Sequence, residues 1–295
     1  MAVEHYVHGL TVGYLSRQLA VNSGSLWAAL HQLAQRLAKV PERLVAEYRR
    51  APVKHADETG WRTDGHNGYV WLFCTERISL FRFRQSRSAQ VAAEVFGPAR
   101  LPGTLVVDRY NGYNRVPCAL QYCYAHLARE VKDLGQEFPD RVEVQNFVHR
   151  LSPLLGQAMQ LRTLGLSRAQ FRPRAAALKA QIRATAAQPA QHPGIQKIQT
   201  LFREKADRLY HWARDPAIPA DNNRAERELR PLVIARKISF GSQSQNGGRT
   251  REILMSVLHT LRKRTDDVLA AFKRGLDALA EDETRDPYSL LFDSS

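Results

Sequence analysis

Three acids in this chain stand where strands and a helix would bring carboxylates together. Asp57 lies in HADET, flanked by apolar or aromatic residues, and Asp108 directly follows the apolar run Leu105-Val106-Val107. An Asp placed after a buried strand is costly unless it is paired or coordinates a cation. Two of them on adjacent strands repel within a few ångströms and call for a metal or a shared proton. The third acid, Glu226, sits in DNNRAERELRP (221–231), with Asp221 or Asn222 available as an N-cap. There Asn223, Glu226, Arg227 and Arg230 fall at i, i+3, i+4 and i+7 and share one helix face. Three carboxylates form an oxygen-rich set for Mg²⁺ or Mn²⁺. Two such ions about 3.5–4 Å apart activate a water or a 3′-hydroxyl and stabilise the leaving oxygen of an in-line phosphoryl transfer.

Each acid also has a plainer reading. Glu58 is the rival of Asp57, and strand alternation sends the two to opposite faces, so only one can face a site. Asp108 suits the first residue of a turn. Glu226 could be an exposed partner of Arg230, a pair worth only ~0.3–0.5 kcal/mol. Glu228, about 200° around the helix from Glu226, belongs to a solvated face.

The acids need elements to hold them. Residues 8–38 read as two helices broken at Asn22-Ser23-Gly24, the outline of either a helix-turn-helix or a plain helical hairpin, with a further helix reaching Arg50. The period then changes. VKHADETGWR, GYVWLFCT and ISLFRFR are short β-prone runs separated by turn signals, which predicts a three-strand antiparallel meander. SAQVAAEVFG follows as a helix ended by Gly97-Pro98, GTLVV as a buried strand, and CALQYCYAHLAREVKDL as a segment that turns helical by about Ala125. Residues 140–220 read as helical, with a proline-containing linker at 184–194. After DNNRAERELRP come a loop GSQSQNGG, a helix ILMSVLHTLRKR, a last helix DDVLAAFKRGLDALA and a frayed acidic tail. The segments are therefore 1–50, helical and helix-turn-helix-like; 51–139, the first part of an α/β core; 140–220, a helical insertion; 221–264, the rest of the core; and 265–295, a C-terminal helix and tail. Three strands, helix, strand and helix is the order of the ribonuclease-H-like fold: a mixed sheet with helices on both faces, here with an all-helical insertion and helical terminal segments.

Composition narrows the class. The 295 residues carry 43 Lys and Arg against 29 Asp and Glu, a formal charge of +14, which favours polyanionic partners and nucleic acid first. No run of eighteen apolar residues exists, so a membrane span is not expected, and the N-terminus shows no secretory signal. Cys74, Cys118 and Cys123 form no C-x-x-C, which argues for reduced thiols in a cytoplasmic setting. Cys123 and His126 form a C-x-x-H, but no second pair lies at zinc-finger spacing.

The chain resembles the insertion sequence 66 transposases of the DDE superfamily. HADETGWR (55–62), VDRYNGYN (107–114), CYAHLARE (123–130) and NNRAERELRPLVIARKISFGSQS (222–244) carry the likeness, in that order, from about residue 6 to 264. The resemblance implies a ribonuclease-H-like catalytic core whose triad Asp57, Asp108 and Glu226 holds two Mg²⁺ or Mn²⁺ ions. It implies cutting and joining of double-stranded DNA at the terminal inverted repeats and into target DNA, without a covalent protein–DNA intermediate. A homodimer on DNA, accessory proteins of the same element and a bacterial, nucleoid-associated location accompany that reading. His126, Arg129, Asn222, Asn223, Arg227 and Arg230 are candidates for supporting the metal site or touching phosphate. Arg236, Lys237, Ser242, Ser244 and Arg249 are candidates for the DNA backbone. A nuclease or resolvase without strand joining, and a DNA-binding remnant, are the alternatives. The chain departs from the family in having Tyr124 where Trp is common, and in showing neither a coiled segment nor a cysteine-rich zinc-binding part before residue 6. It reads as a fragment or a shortened copy.

Overall fold

Residues 1–293 are described by a computed structural model. The β-prone runs form Val53–Gly60 (β1), Tyr69–Cys74 (β2) and Ser79–Arg84 (β3), joined later by Thr104–Val107 (β4) and Ala119–Tyr122 (β5). Their order in one five-stranded sheet is β3-β2-β1-β4-β5. β1 runs parallel to β4 and β4 to β5, while β2 and β3 are antiparallel. TLVV of β4 is buried throughout, as a parallel strand inside a sheet requires. The result is a mixed α/β sheet flanked by helices, consistent with the ribonuclease-H-like arrangement expected.

The chain divides into two compact units, Met1–Ala51 with Ala56–Ala99 and Ala225–Ser295, and Pro52–His55 with Arg100–Arg224. The first unit opens with Ala2–Tyr6 (α1), Val12–Leu19 (α2), Ser23–Arg36 (α3) and Val40–Arg50 (α4). Thr11 and Asn22 cap α2 and α3, and the turn between them passes through Ala20 in the left-handed region, φ 52°. Ala89–Phe96 (α5) ends at Gly97, φ 67°. The unit closes with Asn223–Ser239 (α10), whose first residues belong to the other unit, then Gln245–Arg262 (α11), Val268–Glu281 (α12) and Pro287–Phe292 (α13).

Helix α11 is the spine of this unit. Its residues Glu252, Ser256 and Thr260, four apart, accept the backbone N–H groups of Phe83, Phe81 and Ser79, two apart on the edge strand β3, at 2.9, 2.9 and 3.1 Å. Four helical residues rise about 6 Å and two strand residues about 6.6 Å, so the two ladders stay in step. Two expectations fail here. GSQSQNGG is not wholly a loop: Ser244 caps α11 by accepting from Gly247, and 245–248 form its first turn. Among the described residues the tail is not frayed through 293 either. Asp286 caps α13, Pro287 fills its first position, and Tyr288 donates to Glu47 at 2.7 Å. A six-residue helix shows too little period to be read, and its burial depends on Glu47 and Arg264, far away in sequence.

Burial lowers His259, whose ring donates to the Tyr6 carbonyl at 3.0 Å, to about 4, and lowers His5 likewise to about 4. Both are neutral in the folded chain near pH 7, and on unfolding they bind protons from about pH 6.5 downward. Stability is therefore expected to fall, by on the order of a few kcal/mol, as pH drops from about 6.5 toward 4. Urea midpoints across that window should shift downward, and less so in His259→Gln.

The second unit pairs β4 and β5 with Tyr124–Glu137 (α6), Val142–Gln160 (α7), Arg168–Ala186 (α8) and Pro193–Glu204 (α9). The proline-containing segment 187–192 separates α8 from α9, and Ser167 with Gln170 forms a capping box at the start of α8. Gly103 stands before β4 at φ 76°, where a Cβ would overlap the Pro52 carbonyl.

Candidate active site

On β1 the two rival acids separate as the pleat demands. The Glu58 side chain is 1% exposed, and its Oε1 accepts from Nε and Nη2 of Arg87 at 2.9 and 2.7 Å. Asp57 is half-buried, and its Oδ1 accepts the Glu58 amide at 2.9 Å. Glu58 is thus committed to a guanidinium in the first unit. That choice needed a distant partner and was not legible from alternation alone.

Asp108 sits one residue past β4 in the second unit. Its Oδ1 accepts the Tyr110 amide at 2.9 Å, the turn geometry that Asp commonly adopts. It is half-buried, and no Lys or Arg pairs with it among the described residues.

The second unit also joins three segments through a buried polar chain. His55 Nδ1 meets Asn222 Oδ1 at 2.9 Å, and the Asn222 amide donates to Cys123 Sγ at 3.1 Å. The Tyr124 amide donates to the Ala220 carbonyl at 2.7 Å. His55 precedes Asp57 by two residues on the same strand face, and Asn222 precedes Glu226 by one helical turn. Sequence reasoning does not single out His55 although it lies within HADET; a His two residues before Asp57, in phase with it, is the available signal. Cys123 is held as an acceptor at the start of α6.

Glu226 lies in the first turn of α10, where a carboxylate is favoured by the helix dipole. Asn223, Arg227 and Arg230 are exposed along that helix. Glu228 departs from its expected solvated face: Lys263 Nζ pairs with it at 2.6 Å and the Ser79 hydroxyl donates to it at 2.7 Å. Farther along, Arg236 donates to the Gly60 carbonyl, and Ser242 Oγ accepts Trp61 Nε1 at 3.1 Å. Ser244 is occupied as the α11 cap, while Lys237 and Arg249 are exposed. In the second unit, His126 and Arg129 open onto a cleft of about 690 Å³ that Arg109, Glu130, Asp133 and Lys197 also line. Arg109 and Lys197 both pair with Glu130 there.

A family model described as Transposase IS66 family matches residues 5–250. The chain belongs to that family. The IS66 match takes in all four sequence segments, all three acids and the His55–Asn222–Cys123 chain. A curated relative, Uncharacterized protein y4qI of Sinorhizobium fredii (strain NBRC 101917 / NGR234), is 24% identical over 95% of this chain. The chain spans 58% of that relative's length. Among the described residues of this IS66 family member, no helix is long and apolar enough to cross a membrane.

Proposed function

We propose that the chain is a DNA transposase that cuts phosphodiester bonds at transposon ends and joins the freed 3′-hydroxyl to target DNA, using Asp57, Asp108 and Glu226 as its metal-holding acids. The observation that carries this reading is the family match from 5 to 250, which contains all three acids. Charge supports the substrate: at +14 the chain attracts polyanions. The donor set fits a hard divalent cation, since all three side chains are carboxylates and Asp108 lacks a cationic partner among the described residues. When bound, Mg²⁺ or Mn²⁺ would lower the pKa of the attacking hydroxyl or water and stabilise charge on the leaving oxygen.

The chain's own residues have separate tasks. Asp108, held through Oδ1 by the Tyr110 amide, keeps its other oxygen for coordination. His55 and Asn222 fix the backbone just before Asp57 and Glu226, so they position the acids and do not react themselves. Arg227 and Arg230, exposed on the same α10 face as Glu226, contact phosphate, as do Lys237 and Arg249. Helices between 140 and 220 form an insertion between the second and third acids. Double-stranded terminal repeats, target DNA and a second copy of the chain are the expected partners.

The test is to incubate the purified protein with Mg²⁺ or Mn²⁺, duplexes ending in the element's inverted repeats, and a plasmid. Metal-dependent nicking with covalent joining of the 3′-ends is expected. Nicking without joining would replace the reading with a nuclease, and neither product would overturn it.

A further inference from the structure

Arg251 is a buried cation without a counter-charge among the described residues. It projects from α11 and is 8% exposed. Its guanidinium lies over the rings of Tyr6 and Trp61, 5.2 and 5.1 Å from their centroids. Its one hydrogen bond among the described residues joins it to His5 Nε2 at 3.4 Å. The other His5 nitrogen, Nδ1, meets the Leu10 carbonyl at 2.7 Å and so carries the proton, which leaves Nε2 as an acceptor with no charge to offer. Ring faces attract a guanidinium but accept few of its five N–H groups. Beside it, Tyr6 is 4% exposed, and its buried hydroxyl has no hydrogen-bond partner among the described residues. A lone buried guanidinium and an orphaned hydroxyl both cost folding free energy, and one anion accepting from both would relieve both.

The surroundings have room for such an anion. Arg251 and His5 line two adjoining openings in the same unit. One, of about 300 Å³, includes Tyr6. The larger, about 510 Å³, is bordered by Trp27, His31 and the start of α11 at 244–247. The Trp27 and His31 rings stack at 6.2 Å and 27°, and His31 meets the Thr250 hydroxyl at 2.6 Å, which steadies the pair. The amino end of the eighteen-residue helix α11 adds a positive dipole end to this wall.

We propose that this pocket binds a phosphate of a single DNA strand, with Arg251 and Tyr6 donating to its oxygens and Trp27 stacking the adjoining base. Guanidinium forks suit phosphate, and an aromatic face accepts any base. The proposal concerns binding within the first unit and does not depend on cleavage, so failure of strand joining would leave it standing. Phosphate chemistry alone would also admit a free nucleotide, and the probes are chosen to separate the two.

The experiment uses the full chain without divalent metal. Thermal melting is followed with orthophosphate, a mononucleotide, or a short 5′-phosphorylated single-stranded oligonucleotide, and oligonucleotide affinity is read by fluorescence anisotropy. Tyr6→Phe removes only the orphaned hydroxyl, so its unliganded melting temperature should equal or exceed the parent's while its affinity for the oligonucleotide falls about threefold or more. Arg251→Lys keeps the charge and loses the fork, and should bind about tenfold more weakly. Trp27→Ala should weaken the oligonucleotide and leave the shift by orthophosphate intact. Unchanged oligonucleotide affinity in both Tyr6→Phe and Arg251→Lys would overturn the proposal. A mononucleotide that binds through Arg251 more tightly than the oligonucleotide would overturn the assignment to a strand.

Discussion

A chain carrying Glu226→Gln is expected to bind DNA as the parent does and to lose metal-dependent cleavage by about a thousandfold or more. The substitution keeps side-chain shape and removes one negative charge from the first turn of α10. Losing a favourable charge–dipole interaction costs the fold only about 0.3–1 kcal/mol, so melting temperature should barely move. Under the proposed assignment, the substitution acts instead on Mn²⁺ affinity and on the charge available at the leaving oxygen. Calorimetric Mn²⁺ titration, gel cleavage and thermal melting on the same preparation separate the two effects. Glu228→Gln is the internal control: two residues away, it loses the pair with Lys263 but keeps an oxygen for the Ser79 hydroxyl. That variant should lose stability and retain cleavage once folded. Normal cleavage by Glu226→Gln would end its assignment as a metal-holding acid.

The largest expected effect on stability belongs to Glu252→Ala. Glu252 pairs with Arg82 at 3.1 Å and Arg84 at 2.8 Å and accepts the Phe83 amide at 2.9 Å, with its own side chain 15% exposed. Arg82 is the more buried of the two cations, and burial lowers its pKa. Truncation leaves that guanidinium without its counter-charge and a strand amide without its acceptor, a change worth about 3–5 kcal/mol for a buried pair. Urea unfolding should show a lower midpoint with an unchanged slope. Arg84 also pairs with Glu94, so it is the less affected partner. A loss below about 1 kcal/mol would mean that water replaces Glu252 and that the pair is a surface pair in effect.

Local features of this fold were readable from sequence where period and punctuation agreed. The three strands, α5 closed by Gly97, and the break between α8 and α9 all announce themselves within a few residues. The candidate site was readable only in outline. The acids stand out because carboxylates rarely follow buried apolar runs, and family resemblance ranked them. What remained hidden depends on partners far along the chain. Arg87 decides the orientation of Glu58, Asn222 reaches His55 across 167 positions, and Glu47 anchors the last helix. Arg251 looked like one more basic residue in a basic chain, because burial beside Tyr6 and Trp61 has no signature in charge or period. Glu228 was misread for the same reason: its helix phase says which way it points, and only the fold says that Lys263 is there.

The ladder that α11 lays along β3 has a consequence for assembly. Strands at the border of a sheet recruit other strands through vacant amides. At residues 79, 81 and 83 those amides are already taken by Thr260, Ser256 and Glu252. A second chain therefore finds nothing to zip onto at this border, whether it arrives as a swapped segment or as the seed of a fibril. Copies of the chain that meet one another must do so through surfaces other than this strand, and a crowded population of newly made chains is protected there from sticking to itself.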